Sequence, residues 1–352
     1  MSRPSCCVRP TGVTGSAMPI KGLDRRRYWT ALAACSAAAL AVLLLAPLVG
    51  PTHIDFARVL AAQPPDYQVF VSLRVPRVLL AMAAGGALSL AGAVFQALLR
   101  DALATPYTMG ISSGASLGAV AAISFGWQRL GNLSAVWAGA LVGASLVLVL
   151  VLGIAGMGRR MSSFTLLLAG IAVNSMCMAL ILFVHSFAGL TQSFSISRWM
   201  MGGIDAVDYG TLAWLAALLA PATVIVLARA PAWNLMAVGE DWAAARGVAV
   251  KRLLLTGFVA GSLLTAPVTA ITGPIGFVGL IVPHALRLWV GADHRVLLPC
   301  SLLAGGAFLA ICDAFSRVVI APADLPVGIV TALLGGPFFI WLLRARWRNA
   351  AL

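Results

Sequence analysis

Charge is scarce in this chain. Of its 352 residues, 10% are Asp, Glu, Lys or Arg, where a soluble domain carries about a quarter. Only 11 are acidic; Glu240 is the sole glutamate, and Lys21 and Lys251 are the only lysines. Neither lysine follows a glycine, so no G-K-[ST] phosphate loop can form. If the chain works with ATP, another polypeptide must hydrolyse it. The acids lie in loops or close to the ends of apolar runs. Asp313 is the deepest, and Arg317 one turn later is placed to pair with it. A secondary transporter keeps an ionisable group near the bilayer midplane for its coupling ion. Here the polar residues inside the apolar runs are few, with Asn174, His185 and His284 foremost, so ion coupling has little support. The six cysteines (Cys6, Cys7, Cys35, Cys177, Cys300 and Cys312) have no spacing that suits zinc or an iron–sulfur cluster, and free thiols are expected. The apolar runs are too long for strands and do not alternate, which excludes a spanning sheet.

What is abundant is hydrophobic sequence, 61% of the chain, together with 35 glycines. Apolar runs of about 20 residues recur, the length an α-helix needs to cross a bilayer. Ten spans are predicted, at 29–49, 76–99, 107–125, 134–156, 163–187, 207–229, 253–271, 275–291, 295–320 and 325–345. The first follows Arg25, Arg26 and Arg27 but is too long for a signal-peptide core and lacks a small-x-small cleavage site, so it reads as a retained span. Residues 1–28 read as a disordered basic tail and 346–352 as a second short tail, flanking a membrane domain over 29–345. With an inside N-terminus, Arg58, Arg74, Arg77, Arg129, Arg198 and Arg317 fall outside. The other 18 of the 24 Lys and Arg residues fall inside. That asymmetry satisfies the positive-inside rule and places both termini in the cytoplasm. The net charge of +13 then reports topology and contact with anionic lipid, not nucleic acid.

Three stretches call for chemistry. GISSGASLG (110–118) contains G-x-S-x-G twice. A hydrolase elbow needs a strand, a sharp turn and a histidine partner, whereas this stretch is apolar and helical. Gly110, Gly114 and Gly118 recur every four residues and predict a smooth helix-packing face. GEDWAAARG (239–247) has the grammar of a short helix. Glu240 and Asp241 stand in the first turn and Arg246 in the last, as the helix dipole favours, and Gly247 is a natural stop. A solvated connector and a lever for a cytoplasmic partner are both open readings. RVPR (74–77) sets Arg74 and Arg77 three residues apart at an outer span end, either as snorkelling arginines or as posts for a partner's carboxylates. His284, after Pro283, reads as structural, satisfying a helix that the proline interrupts.

Taken together, LRVPR (73–77), LAGAVFQALLRDALATPYTMGISSGASLGA (90–119), GEDWAAARGV (239–248), GPIGFVGLIVPHALRL (273–288), DHRVLLP (293–299) and LPVGIVTALLGGPFFIWLL (325–343) resemble the FecCD-type permeases. These are the membrane subunits of ABC importers for iron–siderophores, haem and cobalamin. The resemblance runs from about residue 30 to 345. It implies an all-α type II importer permease fold with about ten transmembrane helices, in the cell inner membrane. It implies a second permease subunit, identical or paralogous, with the path at the dimer interface. It also implies two ATP-binding subunits, which hold ATP and magnesium while this chain carries no cofactor, and a periplasmic substrate-binding protein. Residues 238–248 would be the coupling helix, with Glu240, Asp241, Arg246 and Gly247 its marked positions. Arg74, Arg77 and Arg317 would dock the binding protein. Asp101, Leu103, Ser162 and Ser163 would lie near the cytoplasmic gate. Where the family has Asn-Pro-Leu-Ala, this chain has Asp101 and Ala102 before Leu103, which would set like charges facing each other across the gate. Asn174, Met176 and Met178 would line the path, with core packing an equal reading for each. The expected cargo is an iron–siderophore or related chelate, with haem and cobalamin as alternatives and an ion-coupled carrier as the distant one.

Overall fold

The computed structural model describes residues 25–52, 54–127, 129–130, 133–156, 162–321 and 323–350. The expected disordered tail falls outside these except for Arg25–Tyr28, which form the first turn of a helix. Nothing in Arg25-Arg26-Arg27-Tyr28 breaks a helix, so the first span extends back through them. Helix α1 (Arg25–Leu45) ends in a 3-10 turn at Ala46–Leu48. Short helices α2 (Phe56–Leu60) and α3 (Asp66–Gln68) follow. A π-turn at Val69–Arg74 leads into α4 (Val75–Leu99). Pro76 cannot donate a backbone hydrogen bond and would crowd the carbonyl of the preceding turn, which the wider turn relieves.

Helix α5 (Ile111–Ser124) is joined by a two-residue antiparallel ribbon, Arg129–Leu130 against Leu133–Ser134, to α6 (Ala135–Gly156). Then come α7 (Ser163–Ser186), α8 (Leu190–Met200) and α9 (Tyr209–Ala228). Two short helices, α10 (Ala230–Val238) and α11 (Glu240–Ala245), precede α12 (Val250–Thr272). The chain closes with α13 (Val278–Val290), α14 (His294–Val319) and α15 (Val327–Ala350). The described residues hold seven helices long and apolar enough to cross a membrane, plus three shorter apolar ones at Ile111–Ser124, Val278–Val290 and Val327–Trp341. Together these occupy the ten expected positions. The all-helical, polytopic reading therefore holds, with the small ribbon outside the spans as the exception. The tail expected at 346–352 is helical as far as Ala350.

Burial separates a centre from a periphery. The span containing α4 is 83% buried and those of α12 and α14 are 67% buried, while α1, α6, α7 and α9 are only 22–28% buried. Lipid offers no hydrophobic drive for helix association, so close van der Waals packing through small residues must supply it. The centre is built that way. A Cβ on Gly85 would lie 2.2 Å from the Gly305 carbonyl oxygen, and one on Gly92 would lie 2.0 Å from that of Gly279. Backbone therefore meets backbone where α4 crosses α14 and α13. The expected glycine face of α5 is used in the same way: Cβ atoms on Gly114 and Gly118 would meet the carbonyls of Gly143 and Gly139 on α6 at 2.8 and 1.9 Å.

Two stretches lack helix at depth, one where helix was expected and one that widens the break expected between the spans at 253–271 and 275–291. Helix was expected from residue 107, yet α5 starts at Ile111. Thr105 and Thr108 bond each other's backbone groups, offering the chain an alternative to the helix. The α5 start also lies deep. A Cβ on Gly110 would approach Gly170 and Asn174 of α7 at 3.2 and 3.3 Å, about 10 Å or more along α7 from its first residue. The second break, residues 273–277, runs without helix between α12 and α13. The segment expected as a loop after α7 instead contains α8. Non-helical backbone at membrane depth persists only where protein buries it or a water-filled cavity meets it.

The packing argument gives a first test. Gly92→Ala forces a methyl group onto rigid backbone and is expected to cost about 1–3 kcal/mol, the usual range for overpacking. Gly153→Ala meets no atom within 4 Å and is expected to be neutral or slightly stabilising. Thermal unfolding of the two purified variants in detergent separates them; equal midpoints would contradict the glycine contact.

Candidate functional site

At the expected cytoplasmic end, α11 has the predicted polarity, with Glu240 and Asp241 in its first turn. Arg246 is the C-cap and Gly247 follows with φ +81°. The Val248 amide donates to the Ala243 carbonyl at 3.0 Å and the Gly247 amide to Ala244 at 2.9 Å, the paired bonds of a Schellman stop. The expected single helix over 238–248 is preceded by α10, which the sequence reading missed. Trp233 anchors α10: it is fully buried and its indole donates to the Val226 carbonyl at 2.9 Å.

The charged residues of α11 do not share one face. The Arg246 guanidinium lies over the Trp242 ring, 5.6 Å from its centroid, and Trp242 is 60% exposed. Glu240 turns into the protein. Its Oε1 accepts from the Ser163 amide at 3.0 Å and from the Ser163 hydroxyl at 2.6 Å, and lies 3.5 Å from an Arg100 nitrogen. The Ser163 hydroxyl is also 2.7 Å from the Leu98 carbonyl. One residue expected at the gate, Ser163, and one expected at the ATPase contact, Glu240, thus meet at one junction. Ser162 caps α7, its hydroxyl accepting from the Thr165 amide at 3.2 Å. Asp101 accepts from the Leu103 amide at 2.9 Å, closing a turn after α4, and Leu103 is 46% exposed.

Leu103 lines a cavity of about 470 Å³ where the irregular segments meet. Thr105, Tyr107 and Thr108 border it on one side, Met200, Met201 and Phe277 on others. No charged residue lines it. The methionines expected on the path, Met176 and Met178, are not among its lining. They are exposed on α7, 60% and 38% respectively. Asn174 is half-buried beside Gly110, with an Oδ1 that has no hydrogen-bond partner among the described residues. The run Met200-Met201-Gly202-Gly203 was the available sequence signal for this cavity, since two adaptable side chains precede two breakers.

At the opposite end the three arginines expected to dock a partner are engaged internally. Arg74 is 6% exposed and donates to the carbonyls of Pro47, Leu48 and Thr52. Arg317 is 3% exposed and donates to Val49 at 2.9 Å and Ala46 at 3.2 Å. Both satisfy orphan carbonyls where α1 ends, the terminus that favours positive charge. They are therefore not a pair of exposed posts with Arg77. Arg77 bonds Asp313 and Asp324, each at 3.1 Å. Asp313 is fully buried between Arg77 and Arg317, the latter 3.2 Å away. The sequence had paired Asp313 with Arg317 alone. A cavity of about 350 Å³ opens beside this cluster, lined by Arg77 and Asp324 and by Arg198 and Asp205. His284, read as structural, is 7% exposed with its ring edge-on to Phe338 at 6.4 Å.

Burial ranks the carboxylates of that cluster. Asp313→Ala leaves the buried Arg317 guanidinium without its counter-ion and Arg77 with Asp324 alone, and is expected to destabilise by about 3 kcal/mol or more. Asp324, 42% exposed, belongs to the solvent-screened class, and Asp324→Ala is expected to cost below about 1 kcal/mol. Thermal unfolding in detergent reads both; an Asp324 variant as unstable as the Asp313 variant would overturn the ranking.

The chain is similar in sequence and overall fold to known proteins. The model of the FecCD transport family matches residues 38–345. The chain is 36% identical over 279 residues to the hemin transport system permease protein HmuU of Yersinia pestis, covering 79% of this chain and 83% of that protein. It is 38% identical over 288 residues to the vitamin B12 import system permease protein BtuC of Escherichia coli, covering 79% and 85%. Among solved structures, an inward-facing metal-chelate type ABC transporter superposes with a TM-score of 0.79 at 28% identity, covering 90% of this chain and 99% of that one. With the family model spanning nearly all of the membrane helices, the chain is a membrane protein that belongs to the FecCD transport family of ABC-transporter permeases.

Proposed function

We propose that the chain is the membrane-spanning subunit of an importer that moves a ferric siderophore or related metal chelate across the inner membrane. It performs no chemistry itself. ATP and magnesium bind two partner ATPase subunits at the α10–α11 end, which is cytoplasmic along with both termini. A second permease subunit packs alongside, and the exposed face of α7, including Met176 and Met178, turns toward it and the path. A periplasmic binding protein delivers cargo at the opposite end. There Arg77 and the cavity it shares with Arg198 form the accessible docking surface, and Arg74 and Arg317 hold that surface in place.

The observation that carries this reading is α11 itself. It is a capped, exposed helix with an unpacked tryptophan at the end where the basic residues concentrate, on a chain without an ATP site of its own. An uncharged cavity among broken spans supports a large chelate passing without a fixed ligand set. The relatives' names, hemin and vitamin B12 transport, mark the neighbouring cargo classes.

Proteoliposomes containing the chain with its ATPase and binding protein test the reading. The probes are a radioiron-loaded siderophore, haemin and cyanocobalamin. Uptake of the siderophore that needs both the ATPase subunits and ATP is expected. Uptake of haemin or cyanocobalamin alone would overturn the cargo assignment. Uptake by the chain alone, driven by an ion gradient, would overturn the importer reading altogether.

A further inference from the structure

The coupling helix holds one acid that does not face the partner. Glu240 is the first residue of α11, yet its carboxylate grips the first residue of α7. It accepts from both the amide and the hydroxyl of Ser163. The Ser163 amide is one of the donors left unpaired at a helix start, where negative charge is favoured. The same hydroxyl touches the Leu98 carbonyl in the last turn of α4, and Arg100 just beyond stands 3.5 Å from the carboxylate. One side chain therefore joins α11, the start of α7 and the end of α4.

The remaining face of α11 is separate. Trp242 is 60% exposed, Arg246 stacks over it, and Val238 at the adjoining end of α10 is 65% exposed. Among the described residues, no side-chain hydrogen bond from Asp241 or Arg246 links α11 to a spanning helix, while Glu240 supplies two to α7. Bonds to an ionised acceptor are roughly twice as strong as neutral ones, and two from one residue fix an orientation as well as a distance. The α7 helix as a whole is only 28% buried, and its first turn packs inward through Ser163 and Leu166.

We propose that Glu240 is a positioning residue that transmits displacement of α11 into α7, and that the exposed Trp242–Arg246 face alone makes the contact with the ATPase. This rests on the reading of α11 as the coupling helix. It assigns attachment and transmission to different residues of one six-residue helix.

The test uses the assembled complex in a background with Cys6 and Cys7 replaced by serine. Glu240→Ala, Glu240→Gln, Ser163→Ala and Trp242→Ala are compared by two readouts. The first is the amount of ATPase subunit that co-purifies. The second is the rate at which a water-soluble maleimide labels Phe164→Cys, a position 66% exposed in the first turn of α7, with and without ATP. Glu240→Ala and Ser163→Ala are expected to co-purify within twofold of the parent, with the ATP-dependent change in labelling lost in Glu240→Ala and reduced at least twofold in Ser163→Ala, which keeps the amide donor. The double variant should be no worse than Glu240→Ala alone, because the one bond that Ser163→Ala removes is already lost with the carboxylate. Glu240→Gln, which keeps an acceptor oxygen, should retain part of the change. Trp242→Ala should lose at least tenfold in co-purification.

Loss of co-purification in Glu240→Ala at unchanged thermal stability would make Glu240 an ATPase contact and overturn the proposal. So would an unchanged ATP response of the label. Should Glu240→Ala fail to fold, Ser163→Ala decides by the same two readouts. A parent chain that never retains an ATPase subunit would overturn the coupling-helix reading itself, a result distinct from either of these.

Discussion

Backbone packs on backbone with no room for a side chain where Gly85 and Gly92 of α4 meet Gly305 of α14 and Gly279 of α13. A bilayer gives two apolar helices no reason to leave lipid for each other unless they fit better together than lipid fits either. Removing the side chains at the crossing provides that fit over an extended area. It also explains the burial gradient: α4 is enclosed on nearly every side, while α1, α6, α7 and α9 keep most of their surface for lipid or a partner. A dense centre makes the broken spans tolerable. Residues 105–107 and 275–277 leave the helix at membrane depth, and they do so packed together around a small common cavity.

The polar groups follow the same division. At the expected outer end, Arg74 and Arg317 bind the carbonyls that close α1, and Asp313 is clamped between Arg77 and Arg317. These contacts tie α1, α4 and α14 into one body. At the other end the polar junction is smaller, with Glu240 bridging a surface helix to α7, a span that is only 28% buried. On the proposed reading, the first set of contacts keeps the scaffold still and the second moves a helix against it.

Much of this was legible in the sequence, because the strongest signals are local. The apolar runs located ten spans to within a few residues at most boundaries. Three glycines at a spacing of four announced the α5–α6 contact. The acids, the arginine and Gly247 announced α11 down to its stop. The misses share a cause, which is distance along the chain. Arg74 reads as an outward post because its acceptors lie 22 to 27 residues upstream. Arg317 meets residues 268 and 271 positions away. Glu240 and Ser163 are separated by 77 positions. Helix α8 and the late start of α5 were missed for other reasons. Leu190–Met200, with Thr191, Gln192, three serines and Arg198, is too polar to read as a span, and within the apolar run before α5 the local Thr105–Thr108 bonds decide the conformation.

The central claim is that α4 and α14, with α1 bound to them, form a fixed scaffold against which α7 is displaced when α11 moves. Spin-label distances in the assembled complex test it most directly, with one labelled copy per complex. Labels at Leu40 of α1 and Ile311 of α14, both on the exposed surface, report the scaffold. Labels at Ile311 and Phe164 report α7 against it. The account predicts that the Leu40–Ile311 distance stays the same with and without ATP while the Phe164–Ile311 distance shifts by several ångströms. A constant Phe164–Ile311 distance, or a Leu40–Ile311 distance that changes as much, would contradict it.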